Sequence, residues 1–159
     1  MGSVYSLSGS GGGGGGGTTS DTVGVAVIGS AGAPVTLASG AGAFTLQAGL
    51  TDVTAYKQCT WYVIITNRDT GTPTNQVKVR IDWTADGGTV FNTQGTESIS
   101  AGISTLSYYE AQFDISSFPT ATTFGLPPIA LPVVAPEVRV RVGTDAGSTD
   151  AYVLVARQV

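Results

Sequence analysis

Eight consecutive residues, Val77 to Thr84, alternate without a break. Val77, Val79, Ile81 and Trp83 are apolar, and Lys78, Arg80, Asp82 and Thr84 between them are polar. A period of two places the first set on one side of a β-strand and the second on the other. No helix accepts this pattern, because its faces repeat every 3.6 residues. Glu137 to Val142 repeats the alternation, with Val138, Val140 and Val142 inward and Arg139 and Arg141 outward. No window of twelve residues shows helical periodicity, and the abundance of glycine and β-branched residues opposes helix elsewhere.

Further runs with strand character are Val23–Ile28, Pro34–Leu37, Ala43–Gln47, Thr60–Thr66, Thr89–Asn92, Leu106–Ile115 and Ala151–Arg157. Thr60–Thr66 is apolar on both parities, as a central strand is. Turn chemistry stands between the runs, at Asn67–Gly71, Ala85–Gly88 and Asp145–Asp150. Eight to ten short strands separated by turns make an all-β fold, a β-sandwich with the jelly roll as one form. The 159 residues suit one domain, with residues 22–159 forming the sandwich.

Residues 1–21 have a different character. Seven glycines follow Ser-Gly-Ser at 8–10, and glycine loses the most entropy on ordering. A flexible arm is expected, whose ten residues 8–17 span about 17 Å on average. Ahead of it lie Val4, Tyr5 and Leu7. They read either as a tail without function or as an anchor peptide that docks on a neighbouring subunit. No Gly-Lys-Ser/Thr follows the tract, so it is not a phosphate loop. Met1–Leu7 has no basic residue and no long apolar run, so no signal peptide is expected there.

Phe118–Pro136 contains five prolines and many apolar side chains. Proline cannot donate to a sheet ladder, so an irregular loop is expected. Phe124, Leu126, Ile129, Leu131, Val133 and Val134 then need shelter, either over the chain's own core or at a subunit interface.

The chain has no histidine and one cysteine. His-based triads and His-ligated zinc are therefore excluded, and no cofactor is expected. Cys59, in an apolar run, reads as a small buried hydrophobe. Asp82 lies on the polar parity of its strand and is expected to be solvated, not catalytic. Asp145 and Asp150 bracket a turn without a calcium-loop pattern. Net charge is −4, so the basic footprint of a nucleic-acid binder is missing. No basic run favours a membrane surface, and no apolar stretch reaches the ~20 residues of a spanning helix.

Four of the seven basic residues are Lys78, Arg80, Arg139 and Arg141. If their strands are neighbours they form a cationic stripe. Solubilisation and edge protection would explain it, and so would docking on an acidic partner. Trp61, Tyr62, Trp83, Tyr108 and Tyr109 admit a sugar-stacking platform, although Trp61 and Trp83 fall at core-like positions.

Taken together, the glycine-rich arm, the low-charge Thr/Gly/Ala-rich β domain, the apolar proline-rich segment and the missing catalytic residues resemble a tailed-bacteriophage virion protein of the capsid decoration or cement type. The resemblance is one of style, spans the whole chain and carries no residue motif. It implies a non-enzymatic homo-oligomer, a trimer by preference, made in the host cytoplasm and bound to the major capsid protein or another virion protein on the capsid exterior. Val4, Tyr5 and Leu7 would reach an adjacent subunit, and residues 118–136 would lie at the interface. A tail or head-fibre component shares these features, and a carbohydrate-binding module is the alternative from another class.

Overall fold

A computed structural model describes residues 19–37, 46–68, 76–85, 87, 109–144 and 149–159. Eleven strands lie within them: β1 (Val25–Ile28), β2 (Val35–Leu37), β3 (Leu46–Gln47), β4 (Thr51–Asp52), β5 (Gln58–Asn67), β6 (Gln76–Thr84), β7 (Tyr109–Asp114), β8 (Phe124–Gly125), β9 (Ile129–Pro132), β10 (Glu137–Thr144) and β11 (Thr149–Gln158). No helix occurs among the described residues.

The strands form two antiparallel sheets packed as a β-sandwich. In the first, β11 and β5 pair along their length, from Asp150↔Asn67 to Gln158↔Gln58. β1 and β2 flank β11, and β8 and β9 flank β5. In the second sheet β10 and β6 form the centre, with β3 and β4 beside β10 and β7 beside β6. The chain crosses between sheets from β2 to β3, β4 to β5, β5 to β6, β7 to β8, β9 to β10 and β10 to β11. The two central pairs are thereby built from residues far apart in sequence.

The alternation read from the sequence explains the core. Cys59, Trp61, Val63 and Ile65 of β5 face Val77, Val79, Ile81 and Trp83 of β6 across the sandwich, joined by Val138, Val140 and Val142 and by Ala151, Val153 and Val155. Trp61 and Trp83 meet edge-on, with centroids 6.1 Å apart and planes at 83°. That is a favoured aromatic geometry. Both tryptophans are therefore core residues, one from each sheet.

Three sheet edges are broken in the same manner. β1 and β2 pair with successive parts of β11, β8 and β9 with successive parts of β5, and β3 and β4 with successive parts of β10. Short interrupted edges resist pairing with foreign strands. Between β1 and β2, Gly29 adopts φ 56°, and Ser30 and Ala33 exchange backbone hydrogen bonds of 3.0 and 3.1 Å.

The proline-rich segment departs from the expected irregular loop. Ile129–Pro132 is an edge strand paired to Gln58–Trp61. The Leu126 N–H donates to the Val63 carbonyl at 2.9 Å, and the Val133 N–H donates to the Lys57 carbonyl at 2.8 Å. An edge strand needs ladder donors on one side only. Pro127 and Pro128 fall in the break between strands and Pro132 at a strand end, where their missing donors are tolerated.

Candidate functional site

The outer faces of the two sheets differ in chemistry. On the second sheet, register brings Arg80 opposite Arg141 and Asp82 opposite Arg139. The stripe expected if these strands were neighbours therefore forms. Its exposure does not match the expectation for Asp82, which is 0 % exposed, nor does Arg80 stand in solvent, at 1 %. Parity alone had marked this face as wet, but β6 is buried on both sides from Val79 to Thr84.

Asp82 is the hub. Its Oδ1 lies 3.1 Å from Arg80 Nε and 3.4 Å from Arg141 Nη2. Its Oδ2 lies 3.0 Å from Arg139 Nε and 2.7 Å from Arg141 Nε. Burial pulls the Arg139 pKa down and the Asp82 carboxylate opposes that pull, with a net lowering. Arg139 and Arg141 keep 14 and 15 % of their side chains exposed, so the rim of the cluster is wet and its centre is dry. Lys78 stands half-buried at one end, opposite Gly143. Sliding β10 by one residue would carry Arg139 and Arg141 into the apolar core. The cluster thus ties the register of the central pair to a buried charge contact.

On the first sheet the outer face carries Thr60, Tyr62, Ile64 and Thr66 of β5, Tyr152, Leu154 and Ala156 of β11, Ala26 of β1 and Ala130 of β9. None is charged. Tyr62 is 38 % exposed, while Ile64, Tyr152 and Leu154 are half-buried. Register sets Tyr62 beside Leu154 and Ile64 beside Tyr152. Asp150 bounds the face at one end, accepting from Thr36 Oγ1 at 2.6 Å and Asn67 Nδ2 at 3.4 Å. At the opposite end of β11, on the core-side parity of that strand, Asp21 accepts from Arg157 Nε at 2.8 Å and Nη2 at 3.2 Å, and Arg157 also covers the Tyr56 ring at 4.7 Å. Ile64, Tyr152 and Leu154 are not among the residues that sequence pattern alone picks out. The apolar character of both parities in β5 and β11 was the signal that could have found them.

Five of the six apolar residues singled out in 118–136 pack in or against the chain's own core. Leu126 and Ile129 are 5 and 4 % exposed within the chain's own core. Phe124, Leu131 and Val133 are half-buried against that core, and Phe124 stacks on Phe118 at 4.3 Å. Val134 remains 43 % exposed. Of the two readings, shelter over the chain's own sandwich describes Leu126 and Ile129. Val4, Tyr5, Leu7, Tyr108 and Asp145 lie outside the described residues, and Tyr109 packs half-buried against the core.

Cys59 is fully buried, and desolvation pushes its thiol up to about 11. It behaves as a packed apolar side chain and not as a nucleophile.

Fold and faces together define the class: an antiparallel β-sandwich with one apolar and one charge-locked outer face. Comparison with protein-family models, curated proteins and solved structures finds no match for this chain.

Proposed function

We propose that this chain is a non-enzymatic structural subunit of a virus particle, holding to the capsid surface as a decoration or cement protein. The observation that carries the reading is the uncharged outer face of the first sheet, centred on Tyr62, Ile64, Tyr152 and Leu154. Apolar surface of this kind suits contact with other protein. The charged groups of the opposite sheet converge on Asp82 and neutralise one another in part, an arrangement suited to holding strands in place. Repetition of modest contacts around a symmetric homo-oligomer would supply avidity on the major capsid protein.

Sedimentation of the purified chain with assembled particles, followed by quantitative mass spectrometry, tests the reading. Saturable stoichiometric binding that Leu154→Asp abolishes is the expected result. A chain that stays in the supernatant at every concentration would overturn it.

A second reading rests on Tyr62 and Tyr152, diagonal neighbours on the same face. Two rings beside an uncharged surface are the elements of a sugar-stacking platform, and a glycan array with the Tyr62→Ala variant as control separates this reading from the first.

A further inference from the structure

Three of the sheet edges are made of strand pieces of two to four residues, and the fourth is different. β7 is a single run of six residues, Tyr109–Asp114, in unbroken register with β6. Among the described residues its other side pairs with no strand. It holds no proline, glycine, lysine or bulge, the devices that keep a free edge single. Its core-facing row is also incompletely covered. Val77, Val79 and Ile81 are 0 % exposed, while Phe113, Ala111 and Tyr109, which stand beside them in register, are only half-buried. Just beyond the strand the Phe118 N–H donates to the Ile115 carbonyl at 3.1 Å, and the Phe118 ring, stacked on Phe124, stays 37 % exposed.

We propose that β7 pairs with β7 of a second copy of this chain, antiparallel about a two-fold axis at Ala111, joining the second sheets of two chains into one continuous sheet. The strand's own sequence selects this occupant and this register. With Ala111 on the axis, Tyr109 of each copy stands opposite Phe113 of the other on the core side, and Glu110 stands opposite Gln112 on the outer side. The aromatic pairs are favourable, and no like charges face each other among these residues. An axis at Gln112 would set Glu110 opposite Asp114 twice, and an axis at Glu110 would set that carboxylate against its own copy. An axis between two residues would put core-facing side chains beside outward-facing ones. A foreign strand would have to supply this complementarity, whereas the chain carries it already. The contact rests on β7 and not on the apolar face of the first sheet, so it and the particle reading can fail separately.

Sedimentation velocity of the full chain over a concentration series reads the association, and a monomer–dimer equilibrium is the expected result. Gln112 is exposed, so its variants leave the fold intact. Gln112→Glu sets like charges opposite one another at two symmetric positions and should weaken the dimer roughly three- to tenfold, and Gln112→Lys sets opposite charges there and should strengthen it by a similar factor. Ala111→Cys places two thiols directly opposite, with Cα atoms about 4.5–5.5 Å apart, and should crosslink the copies under mild oxidation. Asp114→Cys leaves its two thiols roughly 20 Å apart along the strands and should not. Cys59 is buried and takes no part. A chain that stays monomeric at every concentration overturns the proposal, whether or not it takes up a foreign strand. A dimer indifferent to both Gln112 variants and lost with Leu154→Asp overturns it too, because the second copy then sits on the outer face of the first sheet. So does crosslinking through Asp114→Cys in place of Ala111→Cys, which would mean another register.

Discussion

Replacing Asp82 by asparagine keeps the shape of the side chain and removes a negative charge that Arg80, Arg139 and Arg141 share. Those four side chains then pass from a net +2 to +3, at a position where Asp82 is 0 % exposed. At an effective dielectric near 20, each contact of about 3 Å is worth roughly 5 kcal/mol of Coulomb attraction. That sum is an upper bound. The guanidinium groups of Arg139 and Arg141 reach solvent at their rims, and breaking a buried ion pair typically costs about 3–5 kcal/mol. Asp82→Asn is therefore expected to lower stability by about 3–5 kcal/mol, which for a domain of this size is roughly 10 °C in Tm. Urea unfolding followed by the fluorescence of Trp61 and Trp83 measures it, since both lie in the core between the sheets. Arg141→Met supplies the decisive comparison. In the native background it should destabilise, because it removes a partner of Asp82. In the Asp82→Asn background it should cost much less or stabilise, because it removes a repelling cation. A loss below about 1 kcal/mol for Asp82→Asn, or an equal cost of Arg141→Met in both backgrounds, would refute the hub.

Three further outcomes are expected. The unfolded Cys59 thiol ionises near pH 9 while the folded one stays neutral to about 11, so stability should fall between pH 9 and 11 by roughly 2–3 kcal/mol; a Cys59→Ala variant should lack that part of the slope in a pH series of urea titrations. Burial raises the Asp21 pKa, but the side-chain and backbone hydrogen bonds from Arg157 outweigh it and leave the carboxyl below its usual range. The contribution is thus present above about pH 4 and lost as pH falls through the depressed value; being partly exposed, it should amount to about 0.5–1 kcal/mol, and the effect of Asp21→Asn in thermal melts should be largest at pH 7 and shrink as pH falls below 4. Gly29→Ala places a Cβ at φ 56°, 3.1 Å from the Ala33 carbonyl oxygen, and should lower stability by about 1–2 kcal/mol in the same melts.

Period-two alternation is a local property, and it was legible. Val77–Thr84 and Glu137–Val142 became the inner strands of one sheet, and Thr60–Thr66 and Ala151–Arg157 those of the other, because burying one parity of each is the only way to remove their valines and isoleucines from water. Proline content misled at Ile129–Pro132, since a residue count does not say which side of a strand faces a ladder. Alternation also could not say that the polar side of β6 is buried. That follows from the pairing of β10 with β6 and from burial, both of which join residues some 57 positions apart, such as Arg139 and Asp82. The absence of histidine and the single cysteine bounded the chemistry from composition alone. Which residues share the apolar face was decided only when β11 settled against β5, placing Leu154 beside Tyr62 and Tyr152 beside Ile64. A strand's own sequence sets which side chains point the same way, but the neighbour it acquires sets what stands next to them, and that choice is made by the whole fold.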